Sequence, residues 1–120
     1  RLFSSRSYPA VDRNLMSDLL ELRDAMRAFT AERDWAKFHD PKSLLLALVG
    51  EVGELSELFQ WVPAETAATD ASHDPLHTRV GEEMADVLLY LVRLADVVGI
   101  DLRAATARKL ELNAEKHPAP

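Results

Sequence analysis

Cysteine is absent from the 120 residues. That excludes disulfides and thiolate-held metals, and it fits a reducing, cytoplasmic setting. No apolar run reaches the roughly eighteen residues a membrane span needs. The slightly basic opening RLFSSRSYPA is followed by no apolar signal core, so no membrane partner is expected. The long helical patterns lack the paired E-x-x-H motifs of diiron-carboxylate bundles. Positive charge is in deficit, with 14 Lys and Arg against 20 Asp and Glu and a net charge of -6. Such a surface argues against a nucleic-acid polymer as partner. A small phosphate substrate stays open, because a bound divalent cation inverts the local field. Alternating β patterns are missing as well.

What remains is helical. At 48% hydrophobic and 28% charged residues, the chain has the mix of one folded domain with a core. Residues 1–11 read as a loosely held segment and 12–118 as the domain. Leu15, Leu19, Leu22, Met26 and Phe29 recur at helical spacing, which predicts a helix from near Asp12 to about Trp35. Asp40-Pro41 reads as an N-cap and a first-turn proline, opening a second helix to about Trp61, with Pro63 closing it. Gly50 and Gly53 inside that helix cost about 1 kcal/mol each relative to alanine, which suggests that something, such as a neighbouring helix, approaches closely. Residues 63–74 read as a linker with room for a short helical turn. Asp74-Pro75 repeats the cap signal for a third helix, which Gly99 stops. Asp101 caps a fourth, over roughly 102–116. The expected fold is an all-α bundle of four main helices.

Two of those helices share an offset. Each helical residue turns about 100°. Relative to Glu51, the apolar stripe Leu48, Val52, Leu55 and Phe59 is centred about 70° away, with Glu51 and Glu54 on its shoulder. Relative to Glu83, the stripe Val80, Met84, Val87, Leu91 and Leu94 is centred about 60° away, with Glu83 and Asp86 in the matching places. If the two stripes pack together, four carboxylates converge at one edge of the core. Unpaired, they repel and are costly to desolvate. A divalent cation resolves the conflict, and an all-oxygen donor set suits Mg2+ or Mn2+. The plainer alternative is that such pairs are solvated helix faces.

The segments EVGELSELFQW (51–61) and GEEMADVLLYL (81–91) give E-x-x-E, a spacer, then E-x-x-D. This resembles the MazG-like all-α nucleotide pyrophosphohydrolase family. The stretch FTAERDWAKFHDPKSLLLALVGEVGELSELFQW (29–61) and KLELNAEKHP (109–118) are similar to its dCTP pyrophosphatase-like branch. The resemblance implies Mg2+-dependent cleavage of a nucleoside triphosphate, dCTP or a modified relative, to monophosphate and pyrophosphate. The role would be cleaning or balancing of the nucleotide pool. It assigns Glu51, Glu54, Glu83 and Asp86 as metal-binding catalytic carboxylates, with Glu54 a candidate proton acceptor. Tyr90, Lys109, Asn113 and Lys116 become phosphate and sugar contacts. Ala114 and Glu115 stand where close relatives carry arginines. Trp35, His39 and Trp61, joined by Phe29, become the base pocket, since aromatic faces stack on bases.

Each of these also has a structural reading. The tryptophans and Phe29 can cover the core, His39 can be a loop histidine, Tyr90 can sit at the core edge, and Lys109 and Lys116 can complement a helix dipole. One small chain leaves little room for a nucleotide pocket. A homo-oligomer is therefore expected, with Arg23, Arg33 and Arg93 as candidates for interchain ion pairs, and the family resemblance implies a tetramer in preference to a dimer. The alternative to the enzyme is a non-enzymatic helical interaction domain, in which the apolar stripes only build an oligomer.

Overall fold

A computed structural model of the chain describes residues 18–120. The described residues form helices α1 (Leu19–Glu32), α2 (Pro41–Glu57), α3 (Ala67–Ala71), α4 (Leu76–Val98) and α5 (Leu102–Lys116), with a 3-10 turn at Ala36–Phe38. The chain is all-α. The expected start of the first helix near Asp12, its Leu15, and the segment 1–11 lie outside the described residues.

Local chemistry sets the helix ends. Asp40 caps α2 by accepting from Ser43 N at 2.9 Å, with Pro41 in the first turn. Asp101 caps α5 through Ala104 N at 3.1 Å, and Gly99 ends α4 in the left-handed region at φ 73°. Asp74 acts one step further in than expected. It accepts from the backbone N and the hydroxyl of Thr78, and Pro75 holds the cap position with no side-chain cap bond. α2 ends at Glu57 rather than Trp61. Beyond it the chain tightens into i→i+3 turns, with Leu58 N on Leu55 O and Phe59 N on Ser56 O.

α2 and α4 form the tightest helix pair, and α1 and α3 pack against α4. The buried apolar core of the described residues is short: Ala25, Met26, Phe29, Leu44, Val92 and Ala95. α5 is exposed from Arg103 onward. The apolar stripes depart from expectation. Met84 is 56% exposed, Leu91 40% and Val52 40%, whereas Glu83 and Asp86 are buried. Glu83 and Asp86 share the inner side of α4 with Val92 and Ala95, while Val80, Val87 and Leu94 of the stripe are only half-buried and Met84 and Leu91 are exposed. Gly50 and Gly53 likewise meet no neighbour, since a Cβ at either would have no atom within 4 Å. The expected close approach is not made within one chain.

Candidate active site

The sequence places Glu83 and Asp86 three residues apart on α4, hence on one face. α2 brings Glu51 across to them. One ligand-type oxygen from each of Glu51, Glu83 and Asp86 lies within 4.8 Å of the others. Glu83 is 3% exposed and Asp86 6%, and one side-chain oxygen on each of the three is shut off from solvent. Burial pushes the Glu51 carboxyl up to about 7, helped by hydrogen bonding with Glu83 and Glu54 and by the charges of Asp86 and Glu54. Three carboxylates in so small a space suit either shared protons or a cation. Their all-oxygen donor set could hold a hard divalent ion such as Mg2+ or Mn2+. Glu54 is exposed and stands at the rim. With Glu83, Glu57, Gln60 and Arg79 it lines an open cavity of about 450 Å3 beside the cluster.

A second cavity, about 230 Å3, lies between the 3-10 turn, α2 and α4. It is lined by Trp35, Phe38, His39, Ser43, Leu44, Ala47 and Tyr90. Phe29 supports it from below. That ring is 1% exposed and meets Trp35 edge-on at 5.8 Å, and the Arg33 guanidinium caps its face at 3.5 Å. Tyr90, one turn past Asp86, joins the two regions. Burial raises its hydroxyl's pKa, with the charges of Glu51 and Asp86 adding to the effect. His39 is buried, and Arg93 Nε donates to its Nδ1 at 3.0 Å.

Trp35, His39 and Tyr90 are thus brought together, with Phe29 as their support. Trp61 is not brought there. It is 87% exposed, because the chain leaves the helical path after Glu57 and carries it past the end of α2. Lys109, Asn113 and Lys116 lie exposed on α5, away from both cavities of this chain. The three arginines expected at interchain contacts have partners within the chain. Arg23 pairs with Asp24, Arg33 donates to Phe29 O and pairs with Glu32, and Arg93 holds His39 and Asp96. Sequence reading missed Arg93 as a neighbour of the cavity. The i,i+3 spacing of Arg93 and Asp96 was visible, but the partner on the far side, His39, was not.

A model described as the MazG-like family matches residues 47–120, a span that holds all four motif carboxylates. The chain belongs to the MazG-like family. Among its relatives, dCTP pyrophosphatase 1 of Bos taurus is 46% identical over 100 residues, covering 83% of this chain and 59% of that protein. The Homo sapiens protein of the same name is 45% identical over 101 residues, covering 84% and 59%. This MazG-like chain therefore spans 59% of the length of those curated relatives. The crystal structure of a pyrophosphatase from Archaeoglobus fulgidus matches with a TM-score of 0.77 at 37% identity, over 92% of this chain and 98% of that one. These identities put the chain with the dCTP pyrophosphatase-like branch of the family.

Proposed function

We propose that this MazG-like chain hydrolyses a nucleoside triphosphate between its α and β phosphates, releasing monophosphate and pyrophosphate, with a cytosine deoxynucleotide or a modified form of it as substrate. The observation that carries the reading is the convergence of Glu51, Glu83 and Asp86 oxygens within 4.8 Å, in surroundings that push Glu51 up to about 7. Two buried carboxylates and a half-buried third are a poor way to stabilise a helix pair and a good way to hold a cation. Mg2+, when bound there, would offset the charge of the triphosphate and of the pyrophosphate leaving group and acidify the attacking water.

The rest falls to the chain's own side chains. Glu51, Glu83 and Asp86, with Glu54 at the rim, fix the acidic centre. Glu54, exposed on the open cavity, is suited to accept the water's proton. Tyr90 stands between that centre and the aromatic cavity, where its hydroxyl can donate to a phosphate oxygen. Trp35 and His39 offer a base a stacking face and a polar edge. That two relatives are dCTP pyrophosphatases by name supports cytosine as the base.

The cavity of about 230 Å3 falls below the usual range of about 300–1,000 Å3 for ligand pockets. Trp61, Lys109, Asn113 and Lys116 stand apart from it. A homo-oligomer, a tetramer in our reading, would let a neighbouring chain supply them. The exposed Leu45, Leu46, Val49, Met84, Leu88 and Leu91 support such an assembly. The test is pyrophosphate release with Mg2+ from a panel of canonical and modified deoxynucleoside triphosphates. Selective release from dCTP or a modified dCTP is expected. No release from any nucleotide by folded protein would leave the interaction-domain reading in its place.

A further inference from the structure

Among the buried polar groups, the pair formed by His39 and Arg93 has no part in the acidic centre. His39 is 8% exposed. It closes the 3-10 turn, with its backbone N on Ala36 O at 3.1 Å, and it precedes the Asp40 cap of α2. Its side chain is met from α4 by Arg93, whose Nε donates to Nδ1 at 3.0 Å. Arg93 is itself held. Its Nη1 pairs with Asp96 Oδ2 at 3.3 Å, and the two side chains are only 12% and 10% exposed. Asp96 in turn is gripped by both arms of Arg27 from α1. The result is a chain of side chains from α1 through α4 to the cavity, with each polar group aimed by the next.

A guanidinium has N–H donors and no acceptor, and it does not lose its proton in proteins. The imidazole nitrogen that faces Arg93 must therefore present its lone pair. A neutral imidazole carries one N–H, so the proton resides on Nε2. A second ring proton would point an N–H at a cation, and burial also opposes charge there. Both effects lower the His39 pKa, burial first and the Arg93 charge second. Nε2 has no hydrogen-bond partner among the described residues.

We propose that Arg93 is a positioning residue for the aromatic cavity: by donating Nε–H to His39 Nδ1 it fixes the ring as a neutral Nε2–H donor, so that the cavity selects a ligand edge presenting an acceptor, such as a pyrimidine ring nitrogen or carbonyl oxygen. The tautomer part stands on geometry alone, while the ligand part rests on the proposed nucleotide-hydrolase reading.

The two parts separate in the experiment. Long-range 1H–15N correlation on the ligand-free, 15N-labelled full chain reads the tautomer near neutral pH. The wild-type His39 ring is expected as a single Nε2–H species, and Arg93→Met to convert it to a mixture. Arg93→Lys, which keeps a donor and the charge, serves as the second variant and is expected to restore part of the wild-type signature. In turnover of the preferred nucleotide, Arg93→Met is expected to raise KM about tenfold, as for one misaligned hydrogen bond, with kcat within about twofold. The same change in a His39→Ala background is expected to add nothing. A wild-type ring protonated on Nδ1, or a tautomer unmoved by Arg93→Met, overturns the inference. So does an Arg93→Met effect that persists undiminished without His39. If no nucleotide is turned over, the hydrolase reading fails, and the tautomer result still decides the role of Arg93.

Discussion

Over residues 83–91 the two sides of α4 invert the usual rule for a helix. Its inner side buries Glu83 and Asp86, while its outer side shows Met84, Leu88 and Leu91 at 56%, 40% and 40% exposure. Charged residues are seldom buried without a counter-charge, and an apolar row is seldom left in water. The inner side has the chemistry to hold a cation, and the outer side the chemistry to pack on an apolar surface. Two sectors of one cylinder thus differ sharply in chemistry. α2 repeats the design with Glu51 inward and Leu45, Leu46 and Val49 outward.

The largest effect should come from the inner side. Glu51→Gln or Glu83→Gln is expected to lower Mg2+-dependent turnover by about 100-fold or more, as befits loss of a metal-binding group, while the circular dichroism stays helical. Full activity in either variant would remove that residue from the proposed ligand set. On the outer side, Leu88→Glu should break the proposed assembly. Light scattering after size exclusion is expected to show smaller particles, and turnover should fall with it if a neighbouring chain completes the pocket. An unchanged mass would mean that this row is not the contact.

The pH dependence of stability tests the inner side without any substrate. Glu51 is raised from 4.5 to about 7, so between those values the folded chain holds a proton that the unfolded chain has lost. Protons then favour folding, and apo stability should fall as pH rises from about 4.5 to about 7, by a few kcal/mol at most after solvent screening. Thermal melts in EDTA should show this decline. Added Mg2+ should reverse it most at the high-pH end, where Glu51 is ionised. A flat profile in EDTA would show that the surroundings of Glu51 do not hold its proton.

Smaller effects refine the frame around both sides. Asp40→Ala removes the cap bond to Ser43 N and is expected to cost about 1 kcal/mol in denaturant unfolding. Trp61→Ala should change monomer stability by no more than about 0.5 kcal/mol, because the side chain is 87% exposed. A rise in KM from the same variant would place Trp61 at a pocket shared between chains.

Much of the fold was legible from local chemistry. The Asp40-Pro41 signal, the left-handed Gly99 and the Asp101 cap marked the ends of α2, α4 and α5, because an N-cap side chain or a positive φ is a property of a few adjacent residues. The E-x-x-E and E-x-x-D spacings likewise fixed which carboxylates share a helix face. The apolar stripe marks the packed sector only in part: Val80, Val87 and Leu94 are half-buried, while Met84 and Leu91 are exposed. Periodicity gives an angle around a helix axis, but not which angle meets the neighbour when both a polar and an apolar sector await partners. The turn after Glu57 was illegible for a related reason: Leu58–Trp61 continues a helical pattern, and only the i→i+3 bonds end it.

By itself, then, the sequence determined the helical class, the main caps, the membership of the motif and the oxygen-only character of the donor set. These rest on covalent identity and on interactions within a few residues. The tertiary structure alone decided that Glu51 crosses to meet Glu83 and Asp86, that the apolar rows face outward, and that Arg93 reaches His39 across 54 positions of chain. Those depend on how rigid helices rotate and pack against one another, and residues far apart in sequence carry no local trace of that rotation.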